Sequence, residues 1–225
     1  MREDEADMAR TALITGATGG LGGAVVDRFA AEGWDVVGVD KRPGTDHDNV
    51  RFAEADLFDQ AAVEQVVAGA GDDLRAVVNL VGGFAQGGRV HETPIEEFER
   101  QFTLNLRPAY LVTAAAIPRM NGGAVVCVGT RAALQPFPGA AGYVASKAAV
   151  LAFVRALDAE YRDDGIRCNA VLPSVIDTPA NRAAMPDADH DAWVTPAAIA
   201  EVIHFLASDA SAPISGAEVP VYGRA

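Results

Sequence analysis

Lysine is nearly absent from this 225-residue chain. Its eighteen basic side chains are sixteen arginines and two lysines, Lys41 and Lys147. Where any cation serves, the sequence uses arginine, so Lys147 stands out as a place for a compact ammonium rather than a planar guanidinium. Cysteine is equally scarce. Cys127 and Cys168 are far apart and each lies in an apolar run. That excludes a disulfide framework and a CxxC metal pattern, and predicts buried free thiols in a reducing cytoplasm. The four histidines, His47, His91, His190 and His204, lack ligand spacing, so no metal site is expected. Cations as a whole are outnumbered: the net charge is −13 and the pI about 4.6. This argues against nucleic acid or an anionic membrane as partner. No apolar run reaches the length of a membrane span. The opening "MREDEADMAR" is charged, so it does not read as a signal peptide. Residues 1–9 read as a solvated tail ahead of one domain over 10–225.

What the chain does have is alternation. Short, continuous apolar runs predict strands at 11–16, 34–40, 50–56, 74–82, 123–129, 166–173 and 217–223. Between them lie amphipathic stretches that predict helices at 20–32, 59–69, 94–118, 141–163 and 196–208. Two helix starts carry Thr-Pro signatures, at Thr93-Pro94 with Glu96 completing a capping box, and at Thr195-Pro196. Such a series implies a doubly wound parallel sheet of the α/β class, with helices on both faces. The stretch 174–194 is the longest without a clear element and reads as a lid over a site. Its Trp193 is expected to pack against the pocket.

"TGATGGLGG" follows the first strand and opens the first helix, placing Gly16, Gly20 and Gly22 in the spacing TGxxxGxG. A pyrophosphate needs a tight turn, bare backbone and a helix N-terminus, which this segment supplies. The second strand ends in Asp40, whose carboxylate suits a ribose diol and repels a 2′-phosphate. Gly19 carries no base to hold that phosphate. NAD is therefore favoured over NADP, although Lys41 and Arg42 follow directly. Asp56 and Leu57 read either as a cap on the adenine or as the entry to the next helix.

Tyr143 precedes Lys147 by one helical turn, on the same face. A phenol titrating near 10 is a poor acid–base at neutral pH, and a neighbouring ammonium and a bound, positively charged nicotinamide are both expected to lower it. Thr130 ends the fifth strand, where open α/β sheets carry their sites. Asn105 falls inside a predicted helix, where asparagine is a mediocre choice, with a side chain free to link toward Lys147.

Taken together, TGxxxGxG at 15–22, Asp56-Leu57, Asn79, Asn105, Thr130 and the YxxxK of Tyr143/Lys147 resemble the short-chain dehydrogenases/reductases over almost the whole chain. The resemblance implies a single-domain Rossmann fold with a seven-stranded parallel sheet. It implies Tyr143 as general acid/base, Lys147 tuning it and holding the nicotinamide ribose, Asn105 in a proton relay, and Thr130 where serine is usual. The implied cofactor contacts are Gly16, Thr18, Gly19, Gly20, Leu21, Gly22, Asp40, Lys41, Asp56, Leu57, Asn79, Val81, Gly82, Tyr143, Lys147, Pro173, Val175, Ile176 and Thr178. A homodimer or homotetramer is implied as well. Two segments depart from the family pattern: "NLVG" at 79–82 and Pro173-Ser174. These, with 82–88 and 177–193, resemble dihydropteridine reductases. The expected activity is NADH-dependent hydride transfer at a carbonyl or carbinol carbon. Quinonoid dihydropterin reduction and non-catalytic dinucleotide sensing are the rivals.

Overall fold

The computed structural model describes residues 10–224; the expected tail at 1–9 lies outside them. Seven strands form one sheet in the order β3-β2-β1-β4-β5-β6-β7, and every neighbouring pair runs parallel. They are β1 (Thr11–Thr15), β2 (Asp35–Asp40), β3 (Val50–Glu54), β4 (Leu74–Asn79), β5 (Met120–Val128), β6 (Ile166–Pro173) and β7 (Glu218–Val221). The strand order reverses between β1 and β4. At that point the chain leaves the sheet in opposite directions and opens a crevice beyond the carboxyl ends.

The strands read as unbroken apolar runs because both faces are covered. Leu13, Val37, Val77, Val125 and Leu172 point into one core, with α2 (Gln60–Ala68), α4 (Arg107–Ala116) and α5 (Ala141–Tyr161). Their neighbours Ile14, Val36, Val78, Val126 and Val171 point into the other, with α1 (Gly22–Ala31) and α7 (Pro196–Ala207). Period-two alternation thus builds a three-layer fold with one core per face. Both cysteines are buried and unpaired.

Two local expectations need correction. The segment 94–118 is two helices, α3 (Ile95–Asn105) and α4, which part at Leu106. Pro108 sits at the start of α4 and has no N–H to continue the ladder. The helix entry near Thr93 also differs. Pro94 occupies the N-cap position, while Thr93 turns its hydroxyl back to donate to the carbonyls of Gly88 and Arg89. Glu96 therefore completes no capping box with Thr93, and it is Glu92 that accepts from the Arg89 amide. Thr195 caps α7 as expected, accepting from the Ala198 amide. The stretch 174–194 contains a short helix, α6 (Pro179–Ala184), and an isolated bridge between Ile176 and Val194.

Candidate active site

Loops from the carboxyl ends of β1, β2, β4, β5 and β6 enclose two adjoining cavities that share Leu21, Leu80 and Gly82 as a common wall. The first, about 310 Å³, is walled by the glycine loop, Asp40, Lys41, Ala55, Leu57, Phe58 and Val81. Its shape follows from missing side chains. Gly16 has φ of +68°, and its carbonyl lies 2.1 Å from where a Cβ on Gly22 would stand. The turn thus folds onto the first residue of α1 with no room for alanine. This leaves a bare-backbone cradle at a helix N-terminus, the donor set that a pyrophosphate requires.

Asp40 sits half-buried at the cradle's edge and accepts from the Thr18 amide at 3.1 Å and the Arg42 amide at 3.3 Å. Burial works against its ionisation, but the bonds from Thr18 and Arg42 prevail and hold its carboxyl below the usual range. The two cations that follow are already engaged. Lys41 pairs with Asp56 at 3.0 Å and lies over the Phe58 ring, and Arg42 donates to the Thr18 carbonyl at 2.7 Å.

The second cavity, about 680 Å³, brings together Thr130, Tyr143 and Lys147 with Pro173, Val175 and Ile176. Residues more than forty positions apart meet here because β5 and β6 are neighbours and α5 packs behind β5 and β6. Lys147 is buried, and its Nζ donates to the Val128 carbonyl at 2.8 Å. Burial lowers its pKa to about 8. Tyr143 lies with Thr130 in this wall. Burial raises the phenol's pKa, and it is the Thr130 hydroxyl that works against the rise.

Asn105 ends α3 at the break before α4. Its Oδ1 accepts from the Gly83 amide at 2.9 Å, and its Nδ2 donates to Ser146 Oγ at 3.1 Å. It therefore ties the loop after β4 to the helix that carries Tyr143 and Lys147. A Cβ on Gly82 would meet Asn105 Oδ1 at 2.7 Å and Lys147 Nζ at 3.1 Å. A larger residue there would push on both side chains.

Four of the expected cofactor residues lie outside the cavity walls. Thr18 acts through its amide on Asp40, and Asp56 is taken up by Lys41 and the Phe58 amide. Asn79 turns into the core, where its Nδ2 donates to Thr113 Oγ1 at 3.0 Å. Thr178 caps α6 through Asn181, with its methyl against Gly20. Trp193 is buried against His190 rather than facing the cavity. Several wall residues escaped the sequence reading: Phe84, Arg131, Gln135, Phe137, Asn181 and Met185. Phe84 packs edge-on against Tyr143 at 5.0 Å, a contact across 59 residues that no local pattern announces.

Residues 10–189 match the family model described as short chain dehydrogenase. The chain belongs to the short-chain dehydrogenase family. It is 31% identical to the 2-(R)-hydroxypropyl-CoM dehydrogenase of Xanthobacter autotrophicus, over 96% of this chain and 98% of that protein. Among solved structures it is similar to a short chain dehydrogenase/reductase family protein, at 32% identity and a TM-score of 0.84, covering 95% and 96% of the two chains. It is also similar to the 3-ketoacyl-(acyl-carrier-protein) reductase of Brucella melitensis complexed with NADH, at 29% identity, a TM-score of 0.84 and coverage of 96% and 98%. The chain is thus an oxidoreductase of a family that works with nicotinamide dinucleotides. No helix among its described residues is long and apolar enough to cross a membrane.

Proposed function

We propose that this short-chain dehydrogenase prefers NADH and exchanges a hydride with a carbonyl or alcohol substrate, with Tyr143 as the proton-transfer group. The observation that carries this reading is the shared wall. Tyr143, Thr130 and Lys147 line one cavity that opens through Leu21, Leu80 and Gly82 onto the glycine cradle. The dinucleotide fits the cradle by its phosphates, and when bound it supplies or accepts the hydride. Asp40 favours NADH because its ionised carboxyl would receive the ribose hydroxyls, and Lys41 and Arg42, which a 2′-phosphate would need, are otherwise paired.

The chain's own groups divide the remaining work. Tyr143 donates its phenolic proton to the substrate oxygen during reduction and recovers it in the reverse direction. Thr130, buried beside it, offers its hydroxyl to the same oxygen and stabilises the charge that develops there. Lys147 brings a positive charge into a closed site. Asn105 ties the loop after β4 to the helix that carries that lysine. Two unpaired buried thiols suit a reducing cytoplasm. Tyr110 and Phe153 meet at 5.9 Å across α4 and α5, with Tyr110 exposed, which suits a face shared between copies in a homodimer or homotetramer.

The test is Tyr143→Phe, assayed by NADH oxidation against aryl ketones. Turnover should fall by about 10²-fold or more while the NADH dissociation constant stays within twofold. Retained turnover would remove Tyr143 from its role. Quinonoid dihydropterin in the same assay separates the pterin reductase reading, which the loops after β4 and β6 resemble.

A further inference from the structure

The second cavity carries an electrostatic feature that hydride transfer does not require. The protein has 31 acidic residues and a net charge of −13, yet no carboxylate is among the residues lining this cavity. Its two charged wall residues are Lys147 and Arg131. Lys147 is deep and engaged with Val128. Arg131 follows Thr130 directly, at the start of a short turn beyond β5.

Arg131 is held from one side. Its Nε donates to Gln135 Oε1 at 2.9 Å, and its guanidinium carbon stands 5.1 Å from the centre of the Tyr222 ring. Among the described residues it has no carboxylate partner. Some other arginines here pair with acids, as Arg28 does with Glu201, Arg155 with Glu218, Arg162 with Asp158 and Arg182 with Asp177. The last of these matters doubly, because Asp177 adjoins the wall residue Ile176 and Arg182 keeps it occupied. The same cavity wall carries exposed apolar side chains: Phe84, Phe137 and Met185 are 58%, 40% and 38% exposed, and the Phe84 and Phe137 rings lie 6.2 Å apart.

We infer that the substrate is a carbonyl or carbinol compound with an apolar body and a carboxylate-type oxyanion head, and that Arg131 binds that head. A guanidinium fixed at Nε keeps its outer nitrogens available as a fork for a carboxylate. An unpaired cation in a wall without acids attracts an anion, and an acidic exterior makes that preference a property of the site. The inference rests on the second cavity being the substrate's, as proposed above.

The experiment compares 4-oxo-4-phenylbutanoate with its methyl ester as substrates under saturating NADH. In parallel, 4-phenylbutanoate and 4-phenylbutanamide, which have no ketone, are titrated onto the NADH-loaded protein. The acid should show a KM about tenfold or more below that of the ester, and the carboxylate should bind about tenfold or more tightly than the amide, as expected for a charge-assisted pair. Both preferences should shrink as salt is raised. In Arg131→Gln the acid and ester should converge, and so should the carboxylate and amide, while Arg131→Lys keeps most of the difference. Equal treatment of acid and ester by the wild type, or a preference that survives in Arg131→Gln, would overturn the inference and leave the hydride-transfer reading standing. Arg131-dependent carboxylate binding without turnover of either ketone would support the anion site and count against these ketones as substrates.

Discussion

Lys147→Met should inactivate the enzyme and make the dinucleotide-free protein more stable. Burial lowers the Lys147 ammonium from its ordinary 10.5 to about 8. Below pH 8 that places a cost of roughly 3 kcal/mol on the folded protein, at about 1.4 kcal/mol per tenfold in proton affinity. Methionine fills a similar volume without charge. It gives up the 2.8 Å bond to the Val128 carbonyl, worth about 1 kcal/mol. The net gain at pH 7 is therefore about 2 kcal/mol, or a Tm higher by about 4–8 °C for a chain of this length. The gain fades with alkali. Between pH 8 and 10.5 an unfolded lysine keeps a proton that the folded one has released, so raising the pH stabilises the wild type. By pH 9.5 the cost falls to about 1 kcal/mol and the two melting curves should nearly coincide. Differential scanning calorimetry at the two pH values, without dinucleotide, reads both effects. A lower Tm for Lys147→Met at pH 7, or a gap that ignores pH, would refute a strained buried ammonium.

Gly22→Ala should abolish NADH binding in a fluorescence titration and lower stability by about 2 kcal/mol or more, since its Cβ would stand 2.1 Å from the Gly16 carbonyl. An unchanged dissociation constant would mean that the loop holds no phosphate. Asp40→Ala should weaken NADH binding about tenfold and leave NADPH binding equal or improved; a parallel loss for both would show that Asp40 serves only to brace Thr18. The kcat/KM for ketone reduction should decline above pH 8 as the Lys147 ammonium releases its proton. A profile flat to pH 10 would show that the free enzyme does not need that charge.

Much of this was legible because the signals were local. The continuous apolar strands, the glycine spacing and the Tyr143/Lys147 turn each sit within a few residues, and the sheet they imply is the one observed. The failures share a cause as well. The helix break at Leu106 depends on Pro108, yet its consequence is tertiary: it lets Asn105 face Gly83 and Ser146 from the end of α3. Asn79 reads as a cleft residue from its place at the end of β4, but a strand's last side chain points to one face or the other, and this one points to Thr113. Phe84, Arg131 and Met185 belong to loops that only the sheet brings together. Burial of the Tyr143 phenol, which raises its pKa in the dinucleotide-free cleft, is a property of the fold that no stretch of sequence shows.

That burial bears on direction. In the dinucleotide-free cleft, burial pushes Tyr143 and Lys147 toward their neutral forms, the phenol upward and the ammonium downward. A protonated phenol is the form needed to donate to a carbonyl oxygen. Alcohol oxidation needs the phenolate, which must be favoured against burial by added positive charge. The chain offers Lys147 as its own buried source, titrating close enough to neutrality that its charge state is set by what occupies the site. An arginine would hold its charge at every working pH and would fix that balance. Lysine leaves it adjustable, which gives a physical reason for a chain so sparing of lysine to keep one here.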